Sequence, residues 1–172
     1  MTASEQLLEA KGELSDSKLK ISHRDPGLLV ASFGPVCIAV WDTQPTPVLF
    51  EIQRSQLASA VLGNPGRQLF MCVVSGSAPP PEQELRDASS KMITSHGTQL
   101  AACACVIEGS GFRSAITRTV LTGIVLLIRT PSPVTFFESV ASANGWLGKY
   151  ARAGALTKLP AELEHARARR PA

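Results

Sequence analysis

The sequence predicts an α/β fold, with a mainly parallel sheet of about five strands, an initial β-hairpin and about four helices. Apolar segments of strand length alternate with segments of helical periodicity, which is typical of βαβ units with right-handed crossovers. Two of the strand segments are apolar at almost every position, as expected where helices cover both faces of a sheet. The first two strand segments are joined by a short Gly-Pro turn, which favours a hairpin.

The hairpin is predicted from LLVASF, beginning at Leu28, and VCIAVW, ending before Asp42, with the turn at Gly34-Pro35. Thr46 can cap the next helix with Pro47 at its first position, and Gly63-Asn64-Pro65 ends that helix. The remaining elements follow in order: a strand over Gln68 to Val74, a helix over Glu82 to His96, a strand over Leu100 to Ile107, a helix from about Arg113 to Arg129, a strand over Val134 to Phe137 and a closing helix that ends on Trp146 and Leu147. We expect Trp146 and Leu147 to pack on the sheet.

Charge and polarity divide the chain into a polar N-terminal arm (1–26), an α/β domain (27–147) and a basic C-terminal tail (148–172). Residues 1–147 carry a net charge of −1 and residues 148–172 a net charge of +4. We therefore expect a solvated tail, and a protein ending at Leu147 that still folds. The alternative is that Arg167, Arg169 and Arg170 contact an acidic partner or anionic lipid.

The composition argues against several classes of protein. A body near neutrality lacks the basic face that a nucleic-acid-binding domain needs. No apolar run approaches the roughly 20 residues of a membrane span, and the polar N-terminal segment does not resemble a signal peptide. The four cysteines lie within apolar segments, which favours buried thiols over a disulfide framework. We expect a cytoplasmic protein without stable membrane anchoring.

The segment RTVLTGIVLLIRTPSPVTFFESVASANGWL, together with the initial hairpin and the strand order, resembles the end of small bacterial STAS-like proteins. The resemblance covers roughly residues 28–147. STAS domains are the fold of anti-sigma-factor antagonists, and the resemblance implies a protein-binding surface at the start of the helix after the third strand, where a motif of Asp-Ser-Ser/Thr-Gly type carries a phosphorylatable hydroxyl. Here that segment reads VVSGSAPPPEQEL, with serines but no preceding Asp. The partner-binding residues it implies are Ser75, Ser77, Pro79, Pro81 and Glu82.

A second candidate site is the turn that follows the strand ending at Ile107. Gly109, Gly111, Arg113 and Ser114 stand where backbone N-H groups at a helix start could bind a phosphate. The same residues also suit a simple strand-to-helix turn, because the third glycine and the acidic residue of a dinucleotide-binding motif are absent. Both interpretations remain open.

Catalytic and metal-binding patterns are weak. Cys103 and Cys105 point to the same face of one strand, and core packing accounts for them without a metal, since no further ligand pair completes a zinc site. His23, His96 and His165 fall in a linker, at a helix end and in the tail, where none is an obvious general base. We expect no catalytic residues, no bound metal and no cofactor.

The sequence thus favours a non-enzymatic protein-protein interaction module in a bacterial regulatory, signalling or cell-polarity system. Its partner is expected to be another protein or a second copy of the chain, and not nucleic acid. Two alternatives remain. One is a small-molecule or lipid carrier, suggested by the very apolar run Val120 to Ile128. The other is a divergent enzyme that acts on a phosphorylated substrate at the turn beginning with Gly109.

Overall fold

A six-stranded sheet forms the centre of the structure, a computed structural model that describes residues 18–111, 115–116, 118–120, 122–123 and 130–169. The strands lie side by side in chain order. They are β1 (Lys20–Arg24), β2 (Leu28–Phe33), β3 (Val36–Trp41), β4 (Gln68–Val74), β5 (Leu100–Ile107) and β6 (Val134–Phe137). Strands β1, β2 and β3 are antiparallel neighbours, whereas β3 to β6 pair in parallel.

Helices connect the parallel strands and close the chain. They are α1 (Pro47–Gly63), α2 (Gln83–Ser95), α3 (Val140–Leu147), which continues into a short 3-10 turn, and α4 (Leu159–Ala168). The Thr46 side chain accepts a hydrogen bond from the Leu49 amide, and Pro47 opens α1, as the sequence predicts. The hairpin and the strands β4, β5 and β6 are also confirmed at the predicted positions, and so is the α/β fold class.

The sheet is covered on both faces. On one face, α1 and α2 bury Phe50, Leu57 and Met92 against alternate strand residues. On the other, α3 and α4 bury Leu147 and Leu163 against the intervening residues. Because successive strand residues point to opposite faces, a strand covered on both sides is apolar along its whole length. This explains the nearly continuous apolar runs of β3, β4 and β5.

The N-terminal arm differs from the prediction. Within the segment predicted to be a polar arm, Lys20–Arg24 forms β1, which pairs with β2 at the edge of the sheet. The side chains of β1 are exposed or half-buried, so its sequence lacks the apolar alternation of an inner strand. The Asp25 carboxylate fixes the following turn, because it accepts hydrogen bonds from the amides of Gly27 (2.6 Å) and Leu28 (2.9 Å) and shares one with His23 (2.6 Å).

The C-terminal tail also differs from the prediction. Leu156, Leu159 and Leu163 are each at most 3% exposed and belong to the same core cluster as the strand residues. The predicted boundary at residue 147 is therefore corrected, since the core continues through α4. The positive charge of residues 148–172 favoured a solvated tail, although Leu159 and Leu163 repeat on one face of α4.

The closing residues of the predicted domain pack on the sheet. Leu147 is fully buried. Trp146 is half-buried and lies between two aromatic rings, with ring centroids 5.5 Å from Phe137 and 5.1 Å from Tyr150. Trp146 thus packs against the outside of the core cluster on this face of the sheet, and Leu147 lies within that cluster.

The helix predicted over Arg113 to Arg129 is described only in parts: residues 115–116, 118–120 and 122–123 are helical, and the remainder lies outside the described residues. Among the described helices, none is long and apolar enough to cross a membrane.

We predict that Leu163→Ala lowers the free energy of unfolding by about 2–5 kcal/mol, because it leaves a cavity between α4 and the sheet. Leu62→Ala is the control: Leu62 is 80% exposed on α1, and its loss should change stability by no more than about 0.5 kcal/mol. Denaturant unfolding measures the free energy of unfolding of both variants. For the same reason, a protein that ends at Leu147 should fail to fold. Equal effects of the two substitutions would show that α4 is a solvated tail.

A second prediction concerns acid stability at the β1–β2 turn. Burial alone would raise the pKa of Asp25, but the hydrogen bonds with His23, Leu28 and Gly27 outweigh it and lower the pKa. The stability that Asp25 contributes is therefore complete above the unfolded carboxyl pKa of about 4, and is lost as the pH falls through the lower pKa of the folded state. Unfolding of the protein and of Asp25→Asn should converge in that range. A difference that does not depend on pH would contradict this.

Candidate binding surface at the carboxyl edge of the sheet

The parallel strands β3, β4 and β5 end together at one edge of the sheet. The residues that directly follow these strands are Asp42, Ser75 and Glu108. Backbone hydrogen bonds between neighbouring strands extend to two of them. The Ser75 amide donates to the Trp41 carbonyl (2.8 Å), and the Glu108 amide donates to the Val74 carbonyl (2.9 Å). In α/β sheets, ligands and partners commonly bind outside the carboxyl ends of the strands. This edge is the candidate functional site.

The loop of residues 75–82 contains every residue of the predicted partner surface. The hydroxyls of Ser75 and Ser77 are hydrogen-bonded to each other at 3.0 Å. The Ala78 amide donates to the Ser75 carbonyl, and the Ala78 side chain is 3% exposed, so it anchors the loop. Ser77 and Glu82 are exposed, whereas Pro79 and Pro81 are half-buried and line a cavity beneath the loop. The loop therefore has an outer polar side and an inner apolar side.

Gly76 brings this loop against the turn that follows β5. A Cβ at position 76 would lie 2.9 Å from the Glu108 carbonyl oxygen, closer than real Cβ atoms approach, and 3.0 Å from the Gly109 Cα. Position 76 therefore has to be glycine for the two segments to touch. The two sites that the sequence suggests separately, the loop 75–82 and the turn 108–111, form one surface. The sequence does not predict this role of Gly76, because the contact is with a segment that is distant in the chain.

The predicted anion site is described only in part. Gly109 and Gly111 have positive φ values of 93° and 110°, which favour glycine, and both are exposed at the edge. Arg113 and Ser114 lie outside the described residues. The anion site therefore remains a prediction, with its glycines in the conformation that a tight turn requires.

Arg167 reaches this edge from α4. Its guanidinium donates two hydrogen bonds to the Glu108 carboxylate, each 2.7 Å long, and lies 3.8 Å from an Asp42 oxygen. The bond to Glu108 raises the pKa of Arg167. The sequence predicted that Arg167 would belong to a solvated basic tail, and this is corrected: its charge is used within the fold. Arg169 is exposed, and its carbonyl accepts a hydrogen bond from Arg24, while Arg170 lies outside the described residues.

The four cysteines share one face of the sheet, the face covered by α1 and α2. Cys37 and Cys103 are buried, as predicted, while Cys72 and Cys105 are half-buried and directly opposite each other on β4 and β5. Burial raises the pKa of Cys37 to about 12. It also raises the pKa of Cys72, with a further contribution from Cys105. No group of three or more potential ligands that could hold a metal occurs among the described residues.

Comparison with known proteins finds a similar solved structure. A solved structure similar to this chain is described as an uncharacterized protein from the DUF3478 family with a SpoIIAA-like fold, from Shewanella loihica PV-4. The two are 18% identical over 77% of this chain and 95% of that one, with a TM-score of 0.47. The strand order and pairings described above confirm the α/β fold class expected from the sequence, with its initial hairpin and its parallel strands. No family model matches the chain, and no curated protein matches it.

We predict that the ion pair between Arg167 and Glu108 contributes to holding α4 at this edge. In a double-mutant cycle, Arg167→Gln and Glu108→Gln should couple by about 1 kcal/mol in the free energy of unfolding, because the pair is bidentate and three-quarters shielded from solvent. Arg169→Gln is the control and should not couple to Glu108→Gln. A coupling of zero between Arg167 and Glu108 would mean that apolar burial alone positions α4.

Proposed function

We propose that the protein is a non-enzymatic binding module that takes a partner protein at the surface formed by the loop 75–82 and the turn 108–111. The observation that carries this proposal is the contact of Gly76 with Glu108 and Gly109, which joins the two segments into one continuous surface. The resemblance of the sequence to STAS domains supports a role in bacterial regulation, signalling or cell polarity, and the four free thiols suit the reducing cytoplasm.

The loop is ordered before any partner binds. Three consecutive prolines restrict its backbone, Ala78 anchors it, and the pair of serine hydroxyls closes its first turn. A loop that is already fixed loses less conformational entropy on association than a mobile one. The exposed residues Ser77 and Glu82 then stand in a defined position for a partner.

The charge of the surface suggests the chemistry of the partner. At the start of α2, Glu82, Glu84 and Asp87 are exposed, whereas the nearby carboxylates of Asp42 and Glu108 lie beside Arg167. The exposed acidic groups favour a partner that presents Lys or Arg, because complementary charge speeds association and selects the partner. A second copy of this chain is the other occupant to be distinguished.

The chemistry around the serines fits binding better than catalysis. A catalytic serine needs a general base within hydrogen-bond reach, and the Ser75 hydroxyl bonds instead to that of Ser77. Of the two, Ser77 is the more exposed and so the more accessible to modification. A phosphate there would add negative charge to a surface that is already acidic, and would alter the contact with a basic partner.

The test is capture of partners from native lysate of the source organism by the full-length protein, followed by titration of the purified partner. Glu82→Lys reverses a charge in the contact and should weaken binding about tenfold or more. Ser77→Asp places a charge in the centre of the surface and should also change the affinity. Thr98→Asp is the matched control, because Thr98 is exposed at the opposite edge of the sheet.

Affinity that is unchanged by both Ser77→Asp and Glu82→Lys would exclude this surface. An equal loss in Thr98→Asp would mean that net charge, and not the surface, determines binding. Sedimentation of the protein alone distinguishes the second copy: self-association that Glu82→Lys abolishes would identify the chain itself as the occupant and overturn the separate partner.

A further inference from the structure

A cavity lies between the sheet and the helices that cover its first face. Phe70 and Cys72 of β4 and Cys105 of β5 form its floor, and Leu85 and Met92 of α2 form the opposite wall. Pro79 and Pro81 of the loop 75–82 close one side. The volume of the cavity is about 80 Å³.

The described lining is mostly apolar, and its polar side chains have hydrogen-bond partners within the protein. Trp41 Nε1 donates to Gln53 Oε1 at 2.6 Å, and Gln53 Nε2 donates to the Met92 sulfur at 3.8 Å. The Ser89 hydroxyl donates to the Leu85 carbonyl at 2.7 Å. These groups already have partners within the protein, so they do not require a polar ligand.

The Cys72 thiol on the floor carries no charge at neutral pH, because its pKa lies above its usual range. Burial raises the pKa of Cys72, and the neighbouring Cys105 adds to the shift. A neutral thiol behaves as a small polarizable apolar group. None of the described residues that line the cavity is an acidic or basic side chain. An ion that entered would lose part of its hydration without gaining a charged partner among them, so this lining disfavours charged ligands.

We infer that this cavity binds a small uncharged apolar molecule, of the size of a single aromatic ring or a short hydrocarbon, in contact with Cys72 and Cys105. Water finds few hydrogen-bond partners along this apolar lining, whereas an apolar ligand gains dispersion contacts with it. Phe70 and Phe136 are also among the lining residues, and aromatic side chains pack favourably against a ring-shaped ligand. This site does not depend on the partner surface.

The experiment is a titration of the full-length protein with benzene, followed by two-dimensional NMR and by thermal unfolding. Benzene should raise the melting temperature and shift the signals of residues around the cavity, such as Phe70, Cys72 and Phe136. Benzoate has the same ring but carries a charge, and it should cause neither effect.

Two adjacent serines of α2 provide matched variants. Ser89 lines the cavity and Ser90 does not, although both are half-buried. Ser89→Leu should fill the space and weaken benzene binding about tenfold or more, whereas Ser90→Leu should leave the affinity unchanged. The folded state of both variants is checked by circular dichroism before titration.

Several outcomes would overturn the inference. They are the absence of any shift or stabilisation of the unaltered protein by benzene, equal effects of the two leucine substitutions, and binding of benzoate as tight as that of benzene. Shifts centred on the exposed side chains of Val48 and Leu62 would show non-specific association with the surface instead of occupation of the cavity. Because the unaltered protein is titrated first, a variant that fails to fold does not remove the test.

Discussion

Strands β3, β4 and β5 are apolar on both sides, and each face of the sheet therefore needs a layer of helices. The crossovers α1 and α2 supply one layer, since they connect parallel strands and return on the same side. The other layer comes from the C-terminal part of the chain, where α3 and α4 place Leu147, Leu159 and Leu163 against the sheet. Without that second layer, half of the side chains of the central strands would face water. The fold is complete only when the chain has passed beyond the last strand.

The same constraint determines where the charged groups meet. Once α4 lies across the second face, its last turn arrives at the carboxyl edge, beside the ends of β3 and β5. Arg167 then faces Asp42 and Glu108, which come from positions far apart in the chain. Their negative charge is offset within the fold. The exposed acidic groups of the edge include those at the start of α2 and Glu138, which follows β6. The distribution of charge on the candidate surface is thus a consequence of how the core is covered.

Much of the architecture could be predicted from local patterns. The apolar runs of β4 and β5 are bounded by polar, Gly or Pro residues, and α1 has a Thr cap and an initial proline, so these elements are visible in single segments. Strand β1 could not be found in this way, because an edge strand is defined by its pairing with β2 and not by burial of its own side chains.

The C-terminal segment shows a different limit. Leu159 and Leu163 are spaced four residues apart, which is a signal for a packed helix, but the surrounding arginines favoured a solvated tail. The contact between Arg167 and Glu108 joins residues 59 positions apart, and the loop and turn that meet at Gly76 come from different crossovers. Such contacts depend on tertiary structure, so the sequence suggested the two parts of the candidate surface without showing that they adjoin.

The three prolines of the loop 75–82 lie between the exposed surface of the loop and the cavity beneath it. Ser77 and Glu82 face solvent on one side, and Pro79 and Pro81 face the cavity on the other. Each proline ring fixes φ, so the backbone of this segment has few alternative conformations. A partner on the outer side and a ligand in the cavity would therefore contact the same short, conformationally restricted segment from opposite sides.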